Sequence, residues 1–167
     1  MENKKDIAAL QVIDSILGGG MSSRLFTGLR AEQGLAYQVG SSFAANVNQG
    51  VFALYIGTNP QTALHSKNEL LKQINILKKE FVSEKELQEA KDKILGSFIL
   101  SQETNMEKAS TLGWFETSGR GYLYIDEFPK LIQCVTPSDI IRVANKYFDN
   151  NYTFAIVAPQ KYLEQFK

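Results

Sequence analysis

The alternation AYQVGSSFAANV over residues 36–47 constrains the fold of this chain more than any other stretch. Tyr37, Val39, Phe43, Ala45 and Val47 fall on one face at period two, the repeat of an extended strand. The turn Asn48-Gln49-Gly50 follows, and then VFALYIGT, rich in β-branched and aromatic residues. Two such runs around a short polar turn read as an antiparallel hairpin. A hairpin alone is marginal in water, so flanking helices must cover one of its faces.

Those helices are legible. Residues 6–17, DIAALQVIDSIL, place Ile7, Leu10, Ile13 or Asp14, and Leu17 at roughly helical spacing. Gly18 is expected to stop that helix in the left-handed conformation. Asn59-Pro60 closes the hairpin and opens a helix, with Pro at an early position. Leu64, Leu70, Leu71, Ile74, Leu77 and Phe81 form its apolar stripe. Ser83 and Glu86 make a capping box for a helix whose buried face is Leu87, Ala90, Ile94 and Phe98. Further helices are expected over 105–118 and 122–134, the second kinked or started near Pro129. Thr136-Pro137-Ser138-Asp139 is a strong start for another, which carries Ile140, Val143, Ala144 and Tyr147. YTFAIVAP, 152–159, reads as an apolar strand. The expected fold is α+β, a mostly antiparallel sheet with helices packed on one face, as a single domain over 1–167. The first helix begins almost at Met1 with no strand before it; domains seldom open on a buried-looking helix, so upstream sequence is expected to have been cut away and the chain to be a piece of a longer one.

Composition removes several functions. Lys plus Arg is 18 and Asp plus Glu is 18. A balanced charge argues against nucleic acid or an anionic membrane as partner. No run is long and apolar enough to span a membrane, and the polar start MENKKDIAAL shows no signal peptide; the cytoplasm is the expected compartment. One cysteine, Cys134, and one histidine, His65, cannot build a Cys/His zinc site. No metal is expected in this chain.

The candidate sites are few. Gly18-Gly19-Gly20 lacks the Lys and Ser/Thr of a Walker loop and follows a helix where a dinucleotide fingerprint follows a strand. It reads as a helix end and turn whose backbone can approach something closely. Ser22, Ser23 and His65 show no nucleophile elbow and read as capping serines and an exposed histidine. Cys134 reads as a small buried hydrophobe, and Trp114 and Phe115 as core or interface aromatics. Arg24, Arg30 and Tyr37 remain. SRLFTGLR suggests a short amphipathic helix closed by Arg30, and Tyr37 opens the next strand after the turn Gln33-Gly34. A donor fork and a phenol converging there would suit a carbonyl, carboxylate or oxyanion. The plainer alternative pairs Arg30 with Glu32 or a helix end and packs Tyr37 in the sheet.

The stretch LGGGMSSRLFTGLRAEQGLAYQVGSSF, 17–43, resembles a signature of the pitrilysin/insulinase-type zinc peptidases, which include the mitochondrial processing peptidases. EKELQEAKDKILGSFILSQET, GWFETSGRGY, FPKLIQCVTPSDIIRVANKYF and YTFAIVAP match in order, so the resemblance covers essentially the whole chain. In that family two homologous halves enclose a chamber. One carries the zinc motif HxxEH, which is absent here, and the other contributes an Arg and a Tyr near the metal. Arg30 and Tyr37, seven apart in LRAEQGLAY, match that pair.

The resemblance implies the non-catalytic half of a zinc metallopeptidase, inactive alone. Its partners would be a homologous zinc-bearing half, in the same longer chain or a separate subunit, and a peptide substrate. Arg30 and Tyr37 would hold a peptide carbonyl or the developing oxyanion. Gly18, Gly19, Gly20 and Arg24 would border the substrate, the glycines as a flexible lip near the chamber mouth. Two other roles fit the same fold: a structural core-type subunit, and a peptide-binding module without peptidase activity.

Overall fold

The computed structural model describes residues 3–45, 50–149 and 151–166. Its first helix, α1 (Lys4–Gly18), lies inside the domain. Ile7, Ala8, Ala9, Leu10, Val12, Ile13, Ile16 and Leu17 are all buried. A helix apolar on so many sides is one enclosed by other elements. It packs against β1 (Ala36–Ala45), α3 (Glu84–Leu100), α5 (Tyr124–Gln133) and α6 (Pro137–Tyr147). Asn3 caps it, its side chain accepting from the amides of Lys5 and Asp6.

The hairpin pairs β1 with β2 (Gly50–Thr58) in antiparallel register, Phe43 opposite Phe52 and Val39 opposite Ile56. Val39, Phe43, Phe52, Leu54 and Ile56 rest on the helical core, so the helices cover one face of the sheet. The fold is α+β, as the sequence indicates. Val47 and the expected turn residues Asn48 and Gln49 lie outside the described residues.

A short 3-10 turn, Pro60–Thr62, leads into α2 (Ala63–Lys79). Leu70 and Leu77 are buried as expected. Phe81 is not part of the stripe: the backbone extends at Glu80 (ψ 138°), out of helical phase. Val82 is buried instead and Phe81 is exposed. α3 opens on half a capping box. Ser83 accepts from the Glu86 amide at 3.1 Å, but the Glu86 carboxylate is held by Arg24. Full boxes open α4 (Asn105–Thr117), through Thr104 and Glu107, and α6, through Thr136 and Asp139. α5 starts ahead of Pro129, which sits inside it.

Long-range polar ties lock the helices. Asp6 is fully buried in α1 and accepts from Arg142 Nη1 and Lys146 Nζ at 2.7 Å and from the Tyr147 hydroxyl at 2.8 Å, all on α6. Asp14, also on α1, accepts the Ser41 hydroxyl of β1 at 2.5 Å. Lys91 of α3 donates to the carbonyl of Gln133 at the end of α5.

Two further expectations fail. Cys134 is exposed: it caps the end of α5 while its neighbours Ile132 and Val135 take the buried positions. Residues 151–159 form no strand. No strand pairs with them among the described residues, and apolar composition without a partner ladder does not make a strand. Val157 is fully exposed. The segment instead rests Phe154 against Phe166 of a closing 3-10 helix, Gln160–Phe166, and against the Lys67 ammonium of α2.

Candidate functional site

The Arg30 region is not an ordinary α-helix. Phe26–Glu32 winds as a π-helical segment, anchored by the buried side chains of Leu25 and Leu29. Such wide turns are rare and recur at functional sites. Arg30 is exposed on it, its guanidinium 4.9 Å from the centre of the Phe26 ring. Among the described residues it makes no ion pair, with Glu32 or any other carboxylate. Gly34 then turns the chain at φ +61°, a conformation other side chains seldom adopt. The Leu35 amide closes the turn by donating to Leu29 O at 2.9 Å.

Tyr37 departs from the expected face. Ala36 pairs with Thr58 and Gln38 with Gly57, so the register slips between them. Tyr37 is the extra residue of a β-bulge, a device that re-aims a side chain. Its ring leaves the core face held by Val39 and Phe43, is 73% exposed, and lies against Gly57. Arg30 and Tyr37 therefore stand exposed at opposite ends of one pinned turn.

The other predicted site residues are engaged within the domain. Arg24 grips Glu86 with two parallel hydrogen bonds, Nε to Oε1 at 2.6 Å and Nη2 to Oε2 at 2.7 Å. Gly18 is still helical; a Cβ there would collide with the backbone of Ser41, so this glycine exists for the close approach of α1 to β1. Gly19 follows at φ −70°, and the positive φ expected at Gly18 belongs to Gly20, at +124° beneath the Lys93 side chain. Gly20 O accepts both the amide and the hydroxyl of Ser23. The glycine loop is closed by local hydrogen bonds to Ser15, Gly18 and Gly20 carbonyls. Ser23, exposed His65 on α2 and Cys134 lie on separate elements. Trp114 is half exposed, and Phe115 is buried against Tyr124.

Sequence reasoning missed Thr58. Its hydroxyl donates to Leu35 O at 2.6 Å and contacts those of Thr62 and Ser66. The only signal was a threonine closing VFALYIGT just before Asn-Pro.

Among the described residues no group of three His, Cys, Asp or Glu could hold a metal ion, and no helix is long and apolar enough to cross a membrane. The donor set of the described residues does not fit a zinc centre, which needs three or four such ligands.

The α1–hairpin–helix arrangement is shared with solved proteases. A protease from Helicobacter pylori superposes with a TM-score of 0.81 at 26% identity, over 89% of this chain and 36% of that one. A peptidase M16 inactive domain from Pseudomonas fluorescens gives 0.76 at 27% identity, over 84% and 34%. Among curated relatives, an uncharacterized zinc protease of Rickettsia felis is 35% identical over 163 residues, 94% of this chain and 38% of that relative. One of Bacillus subtilis is 30% identical over 150 residues, 90% and 37%. The chain therefore spans little more than a third of the curated relatives it matches. The family model described as peptidase M16 inactive domain matches residues 1–94. This chain belongs to that family, the inactive half of pitrilysin-type zinc peptidases.

Proposed function

We propose that this domain is the non-catalytic half of a zinc metallopeptidase, shaping the substrate chamber and touching the peptide near the metal through Arg30 and Tyr37. One observation carries the reading. A guanidinium with no carboxylate partner among the described residues and an exposed phenol flank a single pinned turn. An Arg offers five N–H donors and a Tyr one O–H. Two such donors suit a peptide carbonyl oxygen that gains negative charge as its carbon is attacked. Gly18–Gly20 and Arg24 border this site in a supporting role; Glu86 takes only Nε and Nη2 of Arg24, which leaves Nη1 to donate to a peptide.

Zinc belongs, in this reading, to a homologous half in the same longer chain or a separate subunit. The domain alone is inactive, its substrate is a peptide, neither nucleic acid nor membrane is a partner, and its place is the cytoplasm. The test uses the natural full-length protein with its companion half. Arg30→Ala or Tyr37→Phe is expected to slow cleavage of fluorescein-labelled casein peptides about 10²-fold at unchanged zinc content. Unaltered turnover in both variants would overturn the reading.

A further inference from the structure

Between Arg30 and Tyr37 the chain is held at one residue by both of its backbone groups. The Leu35 amide donates to Leu29 O, beside Arg30, at 2.9 Å. The Leu35 carbonyl accepts the Thr58 hydroxyl at 2.6 Å. Thr58 also faces Ala36 across the hairpin, immediately before the bulge at Tyr37. We infer that Thr58 is a positioning residue: its hydroxyl fixes the start of β1, and with it the place of the Tyr37 phenol relative to Arg30. The inference rests on the reading of Arg30 and Tyr37 as the peptide-contacting pair.

Proton counting gives the arrangement its direction. A carbonyl only accepts, so the single Thr58 proton is spent on Leu35. Ser66 Oγ, 3.1 Å from Thr58 Oγ1 and fully buried, is then the donor of that pair. Thr62 Oγ1 divides its proton between Thr58, at 2.9 Å, and the carbonyl of Asn59, at 3.0 Å. Thr58 thus receives hydrogen bonds while giving one, an arrangement in which each bond polarises the next. Its branched Cβ stiffens the rotamer that makes this possible. Thr62 and Ser66 are four apart at the start of α2 and so share a helix face. That helix start serves as the fixed end of the chain of hydroxyls, and Leu35 is the part held in place. Valine has the shape of threonine without the donor, so Thr58→Val leaves Leu35 O and Ser66 Oγ without their partner and frees the start of β1 to shift.

The test uses the natural full-length protein, labelled with carbon-13 at glycine Cα. Because the Tyr37 ring lies against Gly57, its ring current displaces the Gly57 Hα resonances, and Tyr37→Ala supplies the undisplaced reference. In Thr58→Val the Gly57 signals are expected to move to that reference. In Thr58→Ser, which keeps the hydroxyl, they are expected to stay. Cleavage of casein peptides is expected to lose roughly ten-fold in kcat with little change in KM, restored in Thr58→Ser. Unmoved Gly57 signals in Thr58→Val overturn the inference whatever the activity does. Moved signals with unchanged kcat also overturn it, provided that Arg30→Ala and Tyr37→Phe still lose turnover. If those two variants retain turnover, it is the peptide-contact reading that fails, and the Gly57 signals alone decide whether Thr58 places Tyr37. Should Thr58→Val not fold, Ser66→Ala removes only the supporting donor; a smaller displacement in the same direction supports the inference, and none overturns it.

Discussion

The ring of Tyr37 rests on Gly57, so a Cβ at position 57 would run into the phenol. Tyr55 repeats the arrangement by covering Gly40, its direct partner across the hairpin. Rings laid over strand glycines replace the packing that those residues lack. Tyr37, however, is largely exposed and its ring can swing away. Gly57→Ala should therefore change unfolding free energy by less than about 1 kcal/mol while moving the phenol. In the assembled peptidase turnover should fall roughly ten-fold or more. Urea unfolding beside a peptide-cleavage assay separates the two effects; full turnover with a displaced ring would remove Tyr37 from the site.

Gly18 offers no such relief, because what it meets is the backbone of Ser41. Gly18→Ala should cost about 1–3 kcal/mol through forced separation of α1 from β1. Gly28, in the π-helical segment, faces open space: beyond its own helix backbone and chain neighbours, a methyl group there would meet nothing within 4 Å. Gly28→Ala should be neutral or gain up to about 1 kcal/mol by restricting the unfolded chain. Denaturant midpoints for the pair check the contrast, and equal effects would contradict it.

Asp6 and Asp14 give stability opposite dependences on pH. Burial pushes the Asp6 carboxyl up, but hydrogen bonds from Lys146, Arg142 and Tyr147 outweigh it and hold it below its ordinary value. Burial dominates at Asp14, and the Ser41 hydroxyl and Phe43 amide do not offset it, so that carboxyl is held above. The Asp6 contribution is complete above the ordinary carboxylate range, near about pH 4, and is lost as pH falls through the lowered folded value. The Asp14 contribution is present below that range and lost as pH rises through the raised folded value. Asp6→Asn should flatten the loss of stability between about pH 5 and about pH 3. Asp14→Asn should be more stable than the parent at neutral pH, with the advantage shrinking on acidification. Urea titrations across this range that match the parent for both variants would contradict these assignments.

The Arg24–Glu86 pair joins the chain ahead of Arg30 to the first turn of α3. Both side chains are about three-quarters covered, at 21% and 29% exposure, and bidentate geometry makes such pairs stronger than surface ones. Arg24→Ala and Glu86→Ala should each cost about 1–2 kcal/mol, and the double variant little more than either. A double-mutant cycle measures that coupling. A KM for peptide that rises in Arg24→Ala and not in Glu86→Ala would place Arg24 on the substrate as well.

Local chemistry made most of the elements readable. Threonine at 136 with Pro137 and Asp139, serine at 83, and the stripe through Leu70 and Leu77 each act within a few residues, and each appears where the pattern puts it. What escaped was decided at a distance. Alternation cannot reveal an extra residue, so the bulge that turns Tyr37 outward is invisible until β2 supplies the register. Glu86 looked like a capping partner for Ser83 because its competitor, Arg24, is 62 residues away. The run 152–159 has the composition of a strand, but a strand is defined by its neighbour. Of the candidate site, the residue types at 30 and 37 and their spacing were legible; the π-helical winding and the Thr58 anchor were not.

The grip of α6 on Asp6 also bears on how the domain is made. Its hydrogen bonds join residues 136, 140 and 141 positions apart, and closing so long a loop is a slow step. Synthesis runs from the N-terminus, so Asp6 leaves the ribosome well before Arg142, Lys146 and Tyr147. The buried helix that organises the domain therefore waits, its apolar sides not fully covered, until α6 has been made. During that interval its uncovered apolar sides are the kind of surface that makes a folding intermediate prone to aggregate.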